Sequence, residues 1–161
     1  RRGRTVAVLD LDIHPGHGTQ DVYYASPEVL YCSLHGDPAW AYPPHTGFAR
    51  ETGAGPGEGH TFNQPLPKGT TWPDYEVALG AALDRIAGHA PAYLVLSQGF
   101  DTFEGDRWGG FRLEAGDYRR IGERLAGLGV PVLVVLEGGY EPANIAAGSL
   151  ALLEGLALLE S

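Results

Sequence analysis

The sequence predicts an α/β domain built on an open parallel sheet with flanking helices, and three observations carry that prediction. Four short apolar runs rich in Val and Leu are nearly continuous rather than alternating, as in parallel strands covered on both faces. Helical periodicities separate and follow the later runs. Polar, chemistry-bearing residues follow immediately after every run, where ligands of open parallel sheets gather.

The runs are Val6–Leu9, Val29–Leu34, Tyr93–Leu96 and Val132–Leu136. Between the second and third, Tyr75, Leu79, Ala82, Leu83 and Ile86 recur at helical spacing behind a Pro73-Asp74 start. Between the third and fourth, Tyr118, Ile121, Leu125 and Leu128 do the same and stop at Gly129 and Pro131. A last helix is expected from about Pro142 to Leu159, with Ile145, Leu152, Leu156 and Leu159 on one face. Residues 36–71 show no periodicity but many Gly, Pro, His and aromatic residues, so they are expected to be a long functional loop. With no repeat or linker in sight, residues 1–161 read as a single domain.

The chain has 161 residues, 43% hydrophobic and 19% charged, which excludes a disordered tail. A net charge of −9 argues against a phosphate-binding, nucleic-acid surface and favours cationic ligands. A lone cysteine, Cys32, excludes an internal disulfide and fits a reducing, cytoplasmic setting. No apolar run has the ~18 residues of a membrane span.

The strand ends supply the chemistry. If the chain stays extended beyond Leu9, then Asp10, Asp12 and His14 fall on one side. Two carboxylates and an imidazole in one place need a cation to hold them. Locally, Asp12 and His14 could instead cap the next helix. Asp101 follows the third run through Ser-Gln-Gly-Phe and is the expected third ligand. Asp, His and Asp leave positions open on a zinc ion, the condition for a catalytic site. Tyr140, behind Glu137-Gly-Gly, could donate to a developing oxyanion. Taken alone, it reads better as a tyrosine satisfied at the core edge.

In order, Asp10-Leu-Asp-Ile-His-Pro-Gly-His-Gly-Thr-Gln20, Ser33-Leu-His35, Gly99-Phe-Asp101 and Glu137-Gly-Gly-Tyr140 resemble the histone deacetylase superfamily. His35-Gly-Asp-Pro38 with Tyr42-Pro43, Gly57-Glu-Gly59 through Asn63 to Pro65-Leu-Pro67, and Asp101-Thr-Phe-Glu-Gly-Asp106 look most like its acetylpolyamine amidohydrolase branch. The resemblance implies the arginase/deacetylase fold and zinc-dependent hydrolysis of acetyl amides, with acetylpolyamine or acetyl-lysine as substrate and acetate and free amine as products. It implies Asp12, His14 and Asp101 as zinc ligands and Tyr140 as the group that binds the amide carbonyl. Asp10, Asp12, His14, Ser33 and Leu34 would hold a structural potassium or sodium ion, and Tyr23, Ser26 and Val29 a second. Gly110 falls where the family lines its substrate channel, and the branch suggests a homodimer.

The sequence departs from the family pattern at three places. Pro15 stands where a second His usually follows the ligand His, and His17 where Asn or Asp is usual. Arg107-Trp108 follows Asp106 in place of a proline. The family's general base is a tandem His pair on a preceding segment, whereas the six histidines here (His14, His17, His35, His45, His60 and His89) include no adjacent pair. The expectation is therefore the C-terminal part of a catalytic domain that needs an N-terminal segment, with His17 or His45 as the alternative base. An arginase-like two-metal site is disfavoured, because Gly16 occupies the position two after His14 and cannot ligate. The non-enzymatic alternative is a metal-stabilised remnant that binds acetylated ligands or a partner chain.

Overall fold

The computed structural model describes residues 5–157. In chain order it contains β1 (Val6–Asp10), α1 (His17–Tyr23), β2 (Val29–Gly36), β3 (Thr61–Leu66), α2 (Trp72–His89), β4 (Tyr93–Gln98), α3 (Ala115–Ala126), β5 (Val132–Leu136) and α4 (Pro142–Ala157). The strands form one five-stranded sheet in the order β3-β2-β1-β4-β5, with every pair parallel. From β1 the chain fills one side with β2 and β3, then crosses to fill the other with β4 and β5. The strand order reverses between β1 and β4, so their carboxyl ends border the crevice where such sheets bind ligands.

Alternation along the strands sorts the two faces. Ala7, Leu9, Leu30, Cys32, Leu34, Leu94 and Leu96 join Tyr75, Leu79, Ile86, Tyr118, Ile121, Leu125 and Leu152 in the main core. The opposite face carries a small cluster of Val8, Val29 and Tyr31, against which Val6, Tyr23 and Val95 pack. Both interior helices match their predicted periodicity. The third helix ends at Ala126 rather than Leu128, because the chain turns through Gly127 and Gly129. The last helix is described to Ala157; the expected face residue Leu159 lies outside the described residues.

Two expectations need correction. The long loop is not without regular structure, since Thr61–Leu66 pairs in parallel with β2 as an edge strand. Pro65 hid it, for a proline cannot complete a ladder and is tolerated only at an edge. The fourth run does form a strand, but it is not covered on both faces. β5 is the other edge, with Leu133 62% and Leu136 61% exposed. Helix α1 was also missed: seven residues beginning His-Gly-Thr-Gln, with Gln20 alone buried, offer no apolar period to detect.

Candidate metal centre and active-site cleft

Beyond Asp10 the chain leaves the sheet and its next polar residues converge with the end of β4. Asp12, His14 and Asp101 each offer one donor atom, and these atoms all lie within 4.8 Å of one another. His14 Nδ1 sits 3.1 Å from Asp12 Oδ1 and 3.2 Å from Asp101 Oδ2. The backbone fixes the carboxylates: Asp12 Oδ1 accepts from the His14 N–H (2.8 Å), and Asp12 Oδ2 from the Gly138 N–H (2.7 Å). Asp101 Oδ1 accepts from the Ile13 N–H at 3.0 Å. The extended-chain expectation thus holds for Asp12 and His14 but not for Asp10, which ends β1 and stays beneath the cluster. There Asp10 accepts from the Asp12 N–H (3.1 Å) and from the hydroxyl of Tyr31 (3.0 Å).

Close approach here requires glycine. A Cβ at Gly138 would collide with Asp101 Oδ2 and Asp12 Oδ2, and one at Gly99 with Asp12 Oδ2 and Asp101 Oδ1. The two glycines leave the space into which both carboxylates point. Asp101 Oδ2 is buried and has no hydrogen bond among the described residues, its contact with His14 being close but misdirected. A buried carboxylate oxygen without a donor is costly unless a cation takes the place.

The electrostatics follow from that crowding. The adjoining carboxylates of Asp101 and then Asp12 push His14 up to about 9. Burial pushes Asp10 up to about 7 and also raises Asp101, with the neighbouring Asp12 charge adding to the latter. Burial acts on Asp12 too, but hydrogen bonds from His14 and Gly138 outweigh it and hold that carboxyl below the usual range. A divalent cation held there by Asp12, His14 and Asp101 would take the imidazole nitrogen as a ligand in place of its proton. One imidazole and two carboxylates are a fitting donor set for zinc with open positions, whereas a thiolate site is excluded.

The cluster opens into a cleft of about 510 Å³ lined by Asp12, His14, His17, Gly139 and Tyr140 among others. Tyr140 is 44% exposed there; burial, then the charges of Asp101 and Asp12, raise its phenol above its ordinary value. Of the two alternative base histidines, His17 lines this cleft, while His45 lines a neighbouring one with Gln20 and Glu51.

The other expected residues are more scattered. Ser33 pairs in register with Asp10, but its Oγ is hydrogen-bonded to His35 Nδ1 at 2.7 Å. Leu34 points into the main core. Tyr23, Ser26 and Val29 border the turn between α1 and β2, where the Tyr23 carbonyl accepts from the Ser26 N–H. Gly110 lies against the Trp40 ring and lines a separate cavity with Lys68 and Arg112. Tyr31 was missed altogether. Its hydroxyl both donates to Asp10 and accepts from the Gly16 N–H (2.9 Å), and only its alternation with Ser33 along β2 places it on the site's face.

The histone deacetylase domain model matches residues 1–156. The chain belongs to that family. Acetylpolyamine amidohydrolase 1 of Pseudomonas aeruginosa is 47% identical to this family member over 152 residues, covering 94% of the chain and 44% of the relative. Histone deacetylase 15 of Arabidopsis thaliana is 35% identical over 156 residues, 95% of the chain and 28% of the relative. The crystal structure of acetylpolyamine aminohydrolase from Burkholderia pseudomallei superposes with a TM-score of 0.95 at 37% identity, over 98% of this deacetylase-family chain and 46% of that one. The chain therefore spans less than half the length of the relatives it matches. Its sheet and flanking helices are those of the arginase/deacetylase fold. No helix among the described residues is long and apolar enough to cross a membrane.

Proposed function

We propose that this protein hydrolyses acetyl amides, releasing acetate and a free amine, with zinc held by Asp12, His14 and Asp101. The observation that carries the reading is Asp101 Oδ2, a buried acceptor without a hydrogen-bond donor among the described residues, gathered within 4.8 Å of donor atoms from Asp12 and His14, which line an open cleft. When bound, zinc supplies Lewis-acid polarisation of the acetyl carbonyl and acidifies a water molecule. The Tyr140 hydroxyl donates to the carbonyl oxygen as negative charge grows there. Gly138 orients Asp12 through its N–H, and Gly99 with Gly138 keeps side chains out of the space that the Asp12 and Asp101 carboxylates share.

Small acetylated amines are the preferred substrate class, acetylpolyamine ahead of acetyl-lysine. The relatives' names and the chain's net charge of −9 support that order. A potassium or sodium ion beside Asp10, with Ser33 and the carbonyls of Asp12, His14 and Leu34, belongs to the same reading. So do a second ion at the 23–29 turn, substrate contact at Gly110, a homodimer and a cytoplasmic setting. The buried Asp10 carboxyl, lifted to about 7 and without a cationic partner among the described residues, favours the first ion. The general base is expected from a companion polypeptide segment, for which the unpaired apolar edge of β5 offers a place to dock. The same exposed edge favours the second reading, a non-catalytic metal-stabilised remnant that binds acetylated ligands or a partner chain.

Zinc content of the folded chain, measured beside Asp101→Ala, tests the proposal. About one zinc per chain, lost in the variant while circular dichroism is unchanged, supports it. A folded wild-type chain that takes up no zinc refutes it.

A further inference from the structure

Of the stretch Asp101-Thr-Phe-Glu-Gly-Asp106, the metal centre uses only the first residue. Asp106 has other work. Its two carboxylate oxygens accept two different backbone N–H groups: Oδ1 takes Trp108 at 2.9 Å, and Oδ2 takes Tyr140 at 2.7 Å. The first bond shapes the loop after β4, and the second ties that loop to the segment after β5. Flanking tethers run the same way, from Arg107 Nε to Glu141 Oε1 (2.9 Å) and from Asn144 Nδ2 to the Glu104 carbonyl (3.3 Å).

Tyr140 needs such a hold. It follows Gly138-Gly139, with Gly139 at φ +136°, a conformation few side-chain-bearing residues share. Its ring is half-exposed, and its hydroxyl has no partner among the described residues, so packing does not fix it. Upstream the segment is pinned at Gly138, whose N–H reaches Asp12 and whose carbonyl accepts from Phe100. Immediately downstream of the glycines the Tyr140 N–H is held by Asp106.

We infer that Asp106 is a positioning residue for Tyr140: by holding the Tyr140 backbone N–H it keeps the phenol over the metal centre. This rests on the reading of Tyr140 as the carbonyl donor. A carboxylate is required because both partners are donors. An asparagine keeps the volume but offers one oxygen and turns an NH₂ group towards the other N–H.

The test has two arms. Backbone amide exchange on the 161-residue chain follows Tyr140, with Phe100 as the internal reference for an intact fold. Asp106→Ala lowers protection of the Tyr140 amide at least tenfold and spares Phe100, and Asp106→Asn frees either the Tyr140 or the Trp108 amide. Calorimetry on the zinc-loaded chain then measures acetohydroxamate, whose oxygens occupy the place of a carbonyl and its attacking water. Tyr140→Phe weakens binding about tenfold, the worth of one hydrogen bond. Asp106→Ala weakens it by a similar factor, and the double variant is no weaker than Tyr140→Phe alone.

Unchanged protection of both amides in Asp106→Ala and Asp106→Asn overturns the inference. So does a double variant in which the two losses multiply, since Asp106 then acts by another route. If Tyr140→Phe binds acetohydroxamate as tightly as the wild type, the donor role of Tyr140 has failed, and the inference fails with it. If Tyr140→Phe is weakened and Asp106→Ala is not, the inference alone has failed.

Discussion

Replacing Tyr31 by Phe removes one oxygen that serves two partners. The side chain is 1% exposed, and the hydroxyl donates to Asp10 Oδ2 at 3.0 Å while accepting from the Gly16 N–H at 2.9 Å. A hydrogen bond to a charged acceptor is worth about 1.5–3 kcal/mol, and an orphaned N–H costs about 1–3 kcal/mol. Gly16 is partly exposed, so its share falls at the low end, and the expected loss is about 2–4 kcal/mol where Asp10 is ionised. Asp10 sits at about 7, raised chiefly by burial, and the Tyr31 hydrogen bond is one of the influences that lower it. The stabilisation by Tyr31 is therefore greatest above pH 7 and shrinks as pH falls and Asp10 takes up a proton. Urea denaturation of the metal-free variant and wild type at pH 8 and pH 5 measures both values. A loss below about 0.5 kcal/mol at pH 8, or losses equal at the two pH values, refutes the reasoning.

Other outcomes follow from the same geometry. In the metal-free chain, Asp10 is raised from 3.8 to about 7 and His14 from 6.5 to about 9. Raised values give stability that is complete below the unfolded values and lost as pH climbs through the folded ones. The urea midpoint is thus expected to be lower at pH 9 than at pH 6, and the opposite order counts against the assigned site. Gly138→Ala pushes a methyl into both carboxylates, so zinc affinity measured by competition with a chelator falls at least tenfold while the far-ultraviolet spectrum is kept. Cys32 is buried, which pushes its thiol up to about 12, so iodoacetamide labels it only after unfolding. Leu133→Lys with Val135→Lys, both on one face of the exposed β5 edge, lowers self-association in sedimentation velocity without lowering the melting temperature.

What the sequence revealed, and what it hid, divides along physical lines. β1, β2 and β4 were legible because burial on both faces writes a continuous apolar run, and the long helices because burial on one face writes a period. Asp12, His14, Asp101 and Tyr140 were legible because each stands just past such a run. β3 and α1 were hidden because Pro65 interrupts the one and polar partners take much of the buried space of both: Asn63 donates to Gln20, and Gln20 to Glu51. The exposure of β5 was hidden because a Val/Leu run looks the same whether its neighbour is present or not. Asp10 misled by spacing alone: the chain leaves the sheet after it, so the i, i+2, i+4 rule no longer applies. Tyr31 and Asp106 escaped notice because their roles depend on backbone N–H groups, which carry no mark in the sequence.

The parallel pairing of β1 sets how this chain can vary. Asp10 stands level with Ser33 on one side and Ser97 on the other. Because side chains alternate, inserting one residue within β1 would send Asp10 into the main core and bring an apolar neighbour out in its place. The connection from β2 to β3 supplies none of Asp12, His14 and Asp101, and its Gly47 carbonyl lies 2.7 Å from His35 Nε2. Length changes there leave every metal donor in place. Descent with modification can therefore remodel the neighbouring cleft, lined by His45, Thr46 and Glu51, many times over, while the rows of the sheet beside it hold their count.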